Sequence, residues 1–354
     1  MNLLLNSLPT RTWNRLGMNE TAIRVEGAFE NHTPKADWHA AQVSWTADGN
    51  AMPGAVRPDT DLAKLTAHSA IGVVETREGA VMESPIVLSY DYSGQECAAS
   101  RLVLHAEKGS TLSAIIVVAS PEDGRDISAL RTEVCAEDGA KVHLCVAQLL
   151  GRESVCLHEI VGICAEDAQV TLTRLELGAG KAYTDVNFDL QGRRSRFTSD
   201  VGYRARTGQL LDMNYVATHH GKNTESLMEV SGTMEEDSKK IFRGTIDFQK
   251  GCAGDKGTEN ENVLLLGENM KNQTIPLILC KEEDVEGNHG ASIGQLDDKM
   301  LFYLGSRGIS EEKAQEIISR SRIEAVCDQI PDESVRDRVH EFMNRGGSDH
   351  AEEI

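Results

Sequence analysis

The chain has 354 residues, with 36 Lys and Arg against 56 Asp and Glu and a formal charge of −20. That balance excludes a nucleic-acid binder, since counterion release needs a basic face, and the length excludes a small disulfide scaffold while leaving room for two domains or one elongated one. Aromatic residues make up only 5% of the chain, so its core must come from Val, Leu, Ile and Ala, a supply suited to thin aliphatic layers.

The opening Met1-Asn2-Leu3-Leu4-Leu5 is too short for the apolar region of a signal peptide, has no basic residue before it and runs into Asn6-Ser7-Leu8-Pro9. No stretch approaches the roughly 20 apolar residues that span a bilayer, so a cytoplasmic protein is expected. Residues 1–83 read as a mixed region. A helical start at Thr12-Trp13-Asn14-Arg15-Leu16 is stopped by Gly17, and loops rich in Asn, Asp, Pro and Gly follow as far as Pro58.

Residues 84–298 change texture to short apolar-alternating runs: Ile86-Val87-Leu88, Ala114-Ile115-Ile116-Val117-Val118, Val142-His143-Leu144-Cys145-Val146 and Val170-Thr171-Leu172-Thr173-Arg174-Leu175. These predict strands, with no helical period between them to supply crossovers, which leaves a sandwich, a barrel or a solenoid. An acidic turn leading into a strand recurs at Glu107-Lys108-Gly109, Glu137-Asp138-Gly139, Glu166-Asp167-Ala168 and Glu236-Asp237-Ser238. The first three are about 30 residues apart, in the range of stacked repeats. We read the region as the β-helix core of a solenoid, although such turns serve antiparallel strands equally well.

Residues 299–354 read as helical. Ser310 can cap a helix with Glu311 and Glu312 in its first turn, and a second helix begins near Pro331-Asp332-Glu333, carries Val335, Val339 and Phe342 on one face and stops at Gly346-Gly347. These helices are candidates to cover the open ends of the solenoid.

The local signatures of nucleotide hydrolysis, dinucleotide binding, zinc proteolysis and serine hydrolysis are all missing, so the chain does not read as an independent enzyme. The eight cysteines contain no CxxC pair and are expected as free thiols in a reducing compartment. Cys135, Cys145, Cys156 and Cys164 would stack into a thiol ladder on neighbouring coils, either as a metal or cluster relay or, more ordinarily, as small inward-facing residues. Of His219 and His220, adjacent on one strand, at most one can join any single site.

The segment from Phe242 to Ile309 is the richest. It holds Phe242-Arg243-Gly244, then Leu264-Leu265-Leu266-Gly267, then Pro276, then Asn288-His289-Gly290-Ala291, and closes on Leu301-Phe302-Tyr303-Leu304-Gly305-Ser306-Arg307-Gly308-Ile309. In order and spacing it resembles the SufB/SufD family of iron–sulfur cluster assembly proteins, with an echo in Leu8-Pro9-Thr10-Arg11-Thr12-Trp13. The resemblance implies a right-handed parallel β-helix with short helical segments at both ends. It also implies a C-terminal region that docks a SufC-type ABC ATPase, and a transient cluster at the interface with a SufB-type subunit or a second copy.

On that resemblance His289 matches the SufD histidine implicated at the cluster site and is a candidate iron ligand, as neutral imidazole is competent for iron. An alternative is a histidine packed beside Gly290 for turn geometry. Glu261 aligns with the SufB cysteine that accepts persulfide sulfur, and Gly290 replaces a SufB glutamate; both departures favour a SufD-like scaffold. Cys252 and Cys280 lie nearby as further sulfur donors but match no family position. A homomeric SufB/SufD-type scaffold and, from another class, a carbohydrate-active β-helix enzyme remain the competing readings.

Overall fold

The computed structural model describes residues 1–12, 14–36, 43–46 and 57–345. Trp13 and the helix stop expected at Gly346-Gly347 lie outside the described residues. Two short strands, β1 (Asn2–Leu5) and β2 (Thr21–Arg24), pair antiparallel, with one turn of 3-10 helix at Asn14–Leu16 between them. Then come β3 (Glu30–Asn31), β4 (Val43–Thr46) and the short helix α1 (Asp61–Thr66), capped by the Thr60 hydroxyl.

From Ile71 the chain winds into eight coils of two strands each. In order these are β5 (Ile71–Thr76) and β6 (Ile86–Asp91), β7 (Cys97–Ala106) and β8 (Thr111–Ala119), β9 (Ile127–Ala136) and β10 (Lys141–Leu149), and β11 (Val155–Cys164) and β12 (Gln169–Glu176). The second half adds β13 (Lys181–Leu190) and β14 (Arg196–Ala205), β15 (Leu210–His219) and β16 (Glu225–Glu235), β17 (Lys239–Phe248) and β18 (Asp255–Leu266), and β19 (Lys271–Cys280) and β20 (Val285–Gly294). Odd strands pair parallel with odd and even with even, forming two facing sheets. The expected solenoid is thus observed, and the antiparallel sandwich is excluded by the register: Thr111 pairs with Lys141 and Lys141 with Gln169, 30 and then 28 residues on.

The acidic turns set that spacing because each needs one residue in the left-handed region. Gly109 and Gly139 supply it at φ 66° and 68°, and Asp167 and Asp237 at 57° and 56°. Between turns, alternate side chains point inward and stack coil upon coil. Leu88 sits on Ile116 and Ile116 on Val146, all at most 1% exposed.

Of the four spaced cysteines only Cys156 and Cys164 point into the core; Cys145 is buried on the outer face of the even sheet and Cys135 is half-buried. In register Cys135 faces His105 and Ile163, Cys145 Ile115 and Thr173, Cys156 Ser128 and Ala182, and Cys164 Ala136 and Leu190, so no thiol ladder forms. Burial pushes the Cys145 and Cys156 thiols up to about 12, which keeps them protonated and inert.

Both outer faces are covered. The β1–β2 hairpin and α1 pack Leu3, Leu5 and Leu62 onto Ala129, Leu157 and Tyr183 of the odd sheet. A polar row runs beneath this cover: Arg131 pairs with Glu133 and Glu159, Arg57 with Asp185, and Arg243 with Asp212, which also receives Thr21 and Asn6.

Three helices follow the last coil: α2 (Asp298–Ser306), α3 (Glu311–Cys327) and α4 (Glu333–Arg345). Ser310 caps α3, accepting from Lys313 N at 3.2 Å, as expected. The helices do not cover an open end, however. Ile323, Val326, Val335 and Val339 pack on Ile115, Val117, Ala147 and Leu175, the outward apolar positions of the even sheet, because that face would otherwise remain wet. No helix among the described residues is long and apolar enough to cross a membrane.

Register makes a direct prediction. Leu144→Ala, on the inward ladder at 0% exposure, should cost about 2–5 kcal/mol in denaturant unfolding. Leu227→Ala, on an outward position at 36% exposure, should cost less than about 1 kcal/mol.

Candidate functional site

Each inward residue of a coil is roofed by the next coil, except on the last. Strands β19 and β20 end their sheets, so one edge of each carries unpaired backbone groups. Every residue of β20 after Val285 is exposed. Ile278 on β19 and Ile293 on β20 present 36% and 47% of their surfaces to solvent. The solenoid thus ends on an uncapped cross-section of its own interior.

His289 stands on this end. It pairs in register with Glu259, and Ala291 with Glu261. The two glutamates are each only 2% exposed and therefore point into the core, so His289 takes the inward side of β20 one coil further out. It lies within the strand rather than at its end. Gly290 has no left-handed φ, which removes the turn-geometry explanation for the pair. A Cβ at Gly290 would lie 3.0 Å from Asn260 Oδ1, so the backbone there is approachable and an added side chain would be tight.

Glu261 is not free to join His289 in the present arrangement. One of its oxygens is ion-paired with Lys240 and the other accepts from Thr274 Oγ1 at 2.6 Å. Lys240 is fully buried, lies 5.9 and 5.8 Å from the ring centroids of Tyr203 and Phe242, and is held below its ordinary pKa by desolvation. Glu259, with no such partner, is pushed up from 4.5 to about 7, first by burial and then by the neighbouring Glu261 charge. Sequence reasoning missed Glu259 and Lys240. Their only signal was charge inside a strand run, which ordinarily marks a solvated face.

The other candidates fall elsewhere. His219 is buried, bonded to Thr224 and Ser226, and serves the core, while His220 is exposed. Cys252 is buried and Cys280 exposed, with its thiol on the Glu282 carbonyl. Among the described residues no group of three His, Cys, Asp or Glu side chains is arranged to hold a metal ion. His289 thus stands without a second candidate ligand arranged beside it among the described residues.

An uncapped β-solenoid with a histidine on its last strand accords with the motifs, and the comparison with known families decides the matter. Residues 90–322 match the family described as "SUF system FeS cluster assembly, SufBD core domain". The chain belongs to that family. It is similar to the iron–sulfur cluster assembly protein SufD of Bacillus subtilis, 30% identical over 127 residues that cover 36% of this chain and 29% of the relative. SufD of Escherichia coli is 22% identical over 305 residues, covering 84% of this chain and 72% of that protein. A chloroplastic SufBD family protein of Arabidopsis thaliana is 27% identical over 173 residues, covering 49% and 31%. Against the Bacillus and Arabidopsis proteins the match thus spans less than a third of the relative's length. The SufBD family is one of iron–sulfur cluster assembly, which argues against the carbohydrate-active reading.

Buried charge at this end has a pH signature. A carboxyl whose folded pKa lies above its unfolded one adds stability that is fully present below about 4.5 and is lost as pH rises through about 7. Glu259→Gln should flatten that decline and leave the protein more stable than wild type at pH 8, by at most about 3 kcal/mol, in urea unfolding run at pH 5 and pH 8.

Proposed function

We propose that this SufBD family protein is a non-catalytic scaffold subunit of the SUF system, SufD-like, on whose open end a nascent iron–sulfur cluster is built against a second β-helical chain. The observation that carries the reading is the unroofed last coil. An exposed parallel edge is a template for strand addition. A SufB-type subunit docked on β20 would cover the apolar cross-section and bring its own ligands to His289. The cluster is cargo, and the imidazole supplies one nitrogen ligand to iron for as long as it stays. Glu261, held by Lys240, sits one register step behind as part of the wall rather than as a first ligand.

The energy source lies in another chain. Helix α2 leaves Phe302 and Tyr303 at 79% and 54% exposure, while α3 and α4 spend their apolar faces on the even sheet. Large apolar groups left in water mark an interaction surface. We assign α2, within the helical region 299–354, as the dock for a SufC-type ABC ATPase. A homomeric assembly, with a second copy on β20, fits the same edge.

Two measurements test this. His289→Ala should leave melting and complex assembly near wild type, since the side chain is exposed, while cluster yield in the assembled complex drops several-fold; an undiminished yield would falsify the ligand assignment. Phe302→Asp should leave far-ultraviolet circular dichroism unchanged and abolish co-purification of the ATPase.

A further inference from the structure

The ladder that carries His289 can be followed through the interior. Leu144 pairs with Leu172, Leu172 with Ser199, Ser199 with Met228 and Met228 with Glu259, and all are buried. Glu259 then pairs with His289. Partners in a parallel register project to the same side, about 4.8 Å apart. The ladder is apolar or small until its last two rungs, where a glutamate is followed by a histidine.

Glu259 accepts no hydrogen bond among the described residues, while Lys240 and Thr274 donate to Glu261. Its oxygens are not among the fully buried polar atoms without a partner, so solvent reaches them. The fold makes room for the side chain. A Cβ at Gly244 would lie 2.5 Å from Glu259 Cδ and 2.6 and 2.8 Å from its two oxygens. The glycine of Phe242-Arg243-Gly244 thus exists, in this chain, to let that carboxyl in. The charged and titratable groups facing it are Lys240 from β17, Glu261 from its own strand, and His289 from β20; Met228 of β16 lies beneath and bears no charge.

The two side chains make no hydrogen bond in this structure; from their shared rung we propose that Glu259 is the positioning residue of His289, its carboxylate accepting a hydrogen bond from one imidazole N–H once the ring turns toward it, which sets the tautomer and leaves the other nitrogen's lone pair directed out of the open end toward the iron of the cargo. The role rests on the proposed function of His289. The carboxylate-to-histidine contact is the usual means by which a ligating imidazole is oriented and made more basic.

The test uses the full chain, free and assembled with its ATPase and β-helical partner. Glu259→Met keeps the volume and removes the acceptor, whereas Glu259→Gln keeps an acceptor oxygen. With 15N-labelled histidine, the His289 ring, assigned by its loss in His289→Ala, should show one dominant tautomer in the wild type and in Glu259→Gln and a mixture in Glu259→Met. Cluster retention in the assembled complex should fall about ten-fold in Glu259→Met and stay near wild type in Glu259→Gln. Gly244→Ala, whose Cβ displaces the carboxyl, should reproduce the Met variant and decides the matter if that variant does not fold. An unchanged tautomer ratio in Glu259→Met and Gly244→Ala, or a changed ratio with undiminished cluster retention, overturns the inference. Full cluster retention in His289→Ala would overturn the ligand reading instead, and the tautomer measurement separates the two failures.

Discussion

Everything in this molecule depends on parallel, in-register stacking. A coil of two short strands has two inward faces and cannot dry either of them alone; only the coils before and after it do so. The first coil is adjoined by β4, which pairs with β5, and by Lys35, which bridges to Ser89 of β6, and the middle coils by one another. The last coil has no neighbour, so an interior cross-section meets water there. An exposed, unpaired edge follows from the architecture without a dedicated loop or cleft.

The two outer faces show how the chain handles its remaining surface. The even sheet turns aliphatic side chains outward, and α3 and α4 dry them. The odd sheet turns a charged row outward, and the N-terminal segment meets it with matched partners such as Asn6, Thr21 and Arg57. Buried ion pairs of this sort add little net stability, but removing one partner is costly. They therefore specify where the N-terminal segment lies more than they hold it down. With both flanks occupied, the uncapped end and α2 remain as places for other chains.

Charge placed inside the solenoid near that end works against stability. Lys240, Glu259 and Glu261 follow Leu211, Met228 and Val230 one coil earlier, and desolvation shifts Lys240 and Glu259 toward their neutral forms. Buried charge also lies in the middle coils, where Arg174 pairs with Glu176 and contacts His158 and Thr184.

How much of this was legible without coordinates depended on what each face does. The four strand runs that stand out in the sequence, at Ile86, Ala114, Val142 and Val170, all fall on the even sheet, whose outward positions are aliphatic. Strands of the odd sheet carry Arg131, Glu133, Glu159 and Asp185 outward, which blurs their pattern. Glu259-Asn260-Glu261-Asn262 reads as a polar, solvated stretch. In the fold its amides face out, to Glu229 and Arg322, and its acids face in. His289 was legible only through its motif. The sequence by itself determined the coil length, the turn positions, the Ser310 cap and the family, because these are local or carried by contiguous residues. Which strands pair, which acids are buried, where the C-terminal helices lie and which end stays open were decided by tertiary structure alone, because each depends on residues brought together by stacking from about 30 or more positions apart.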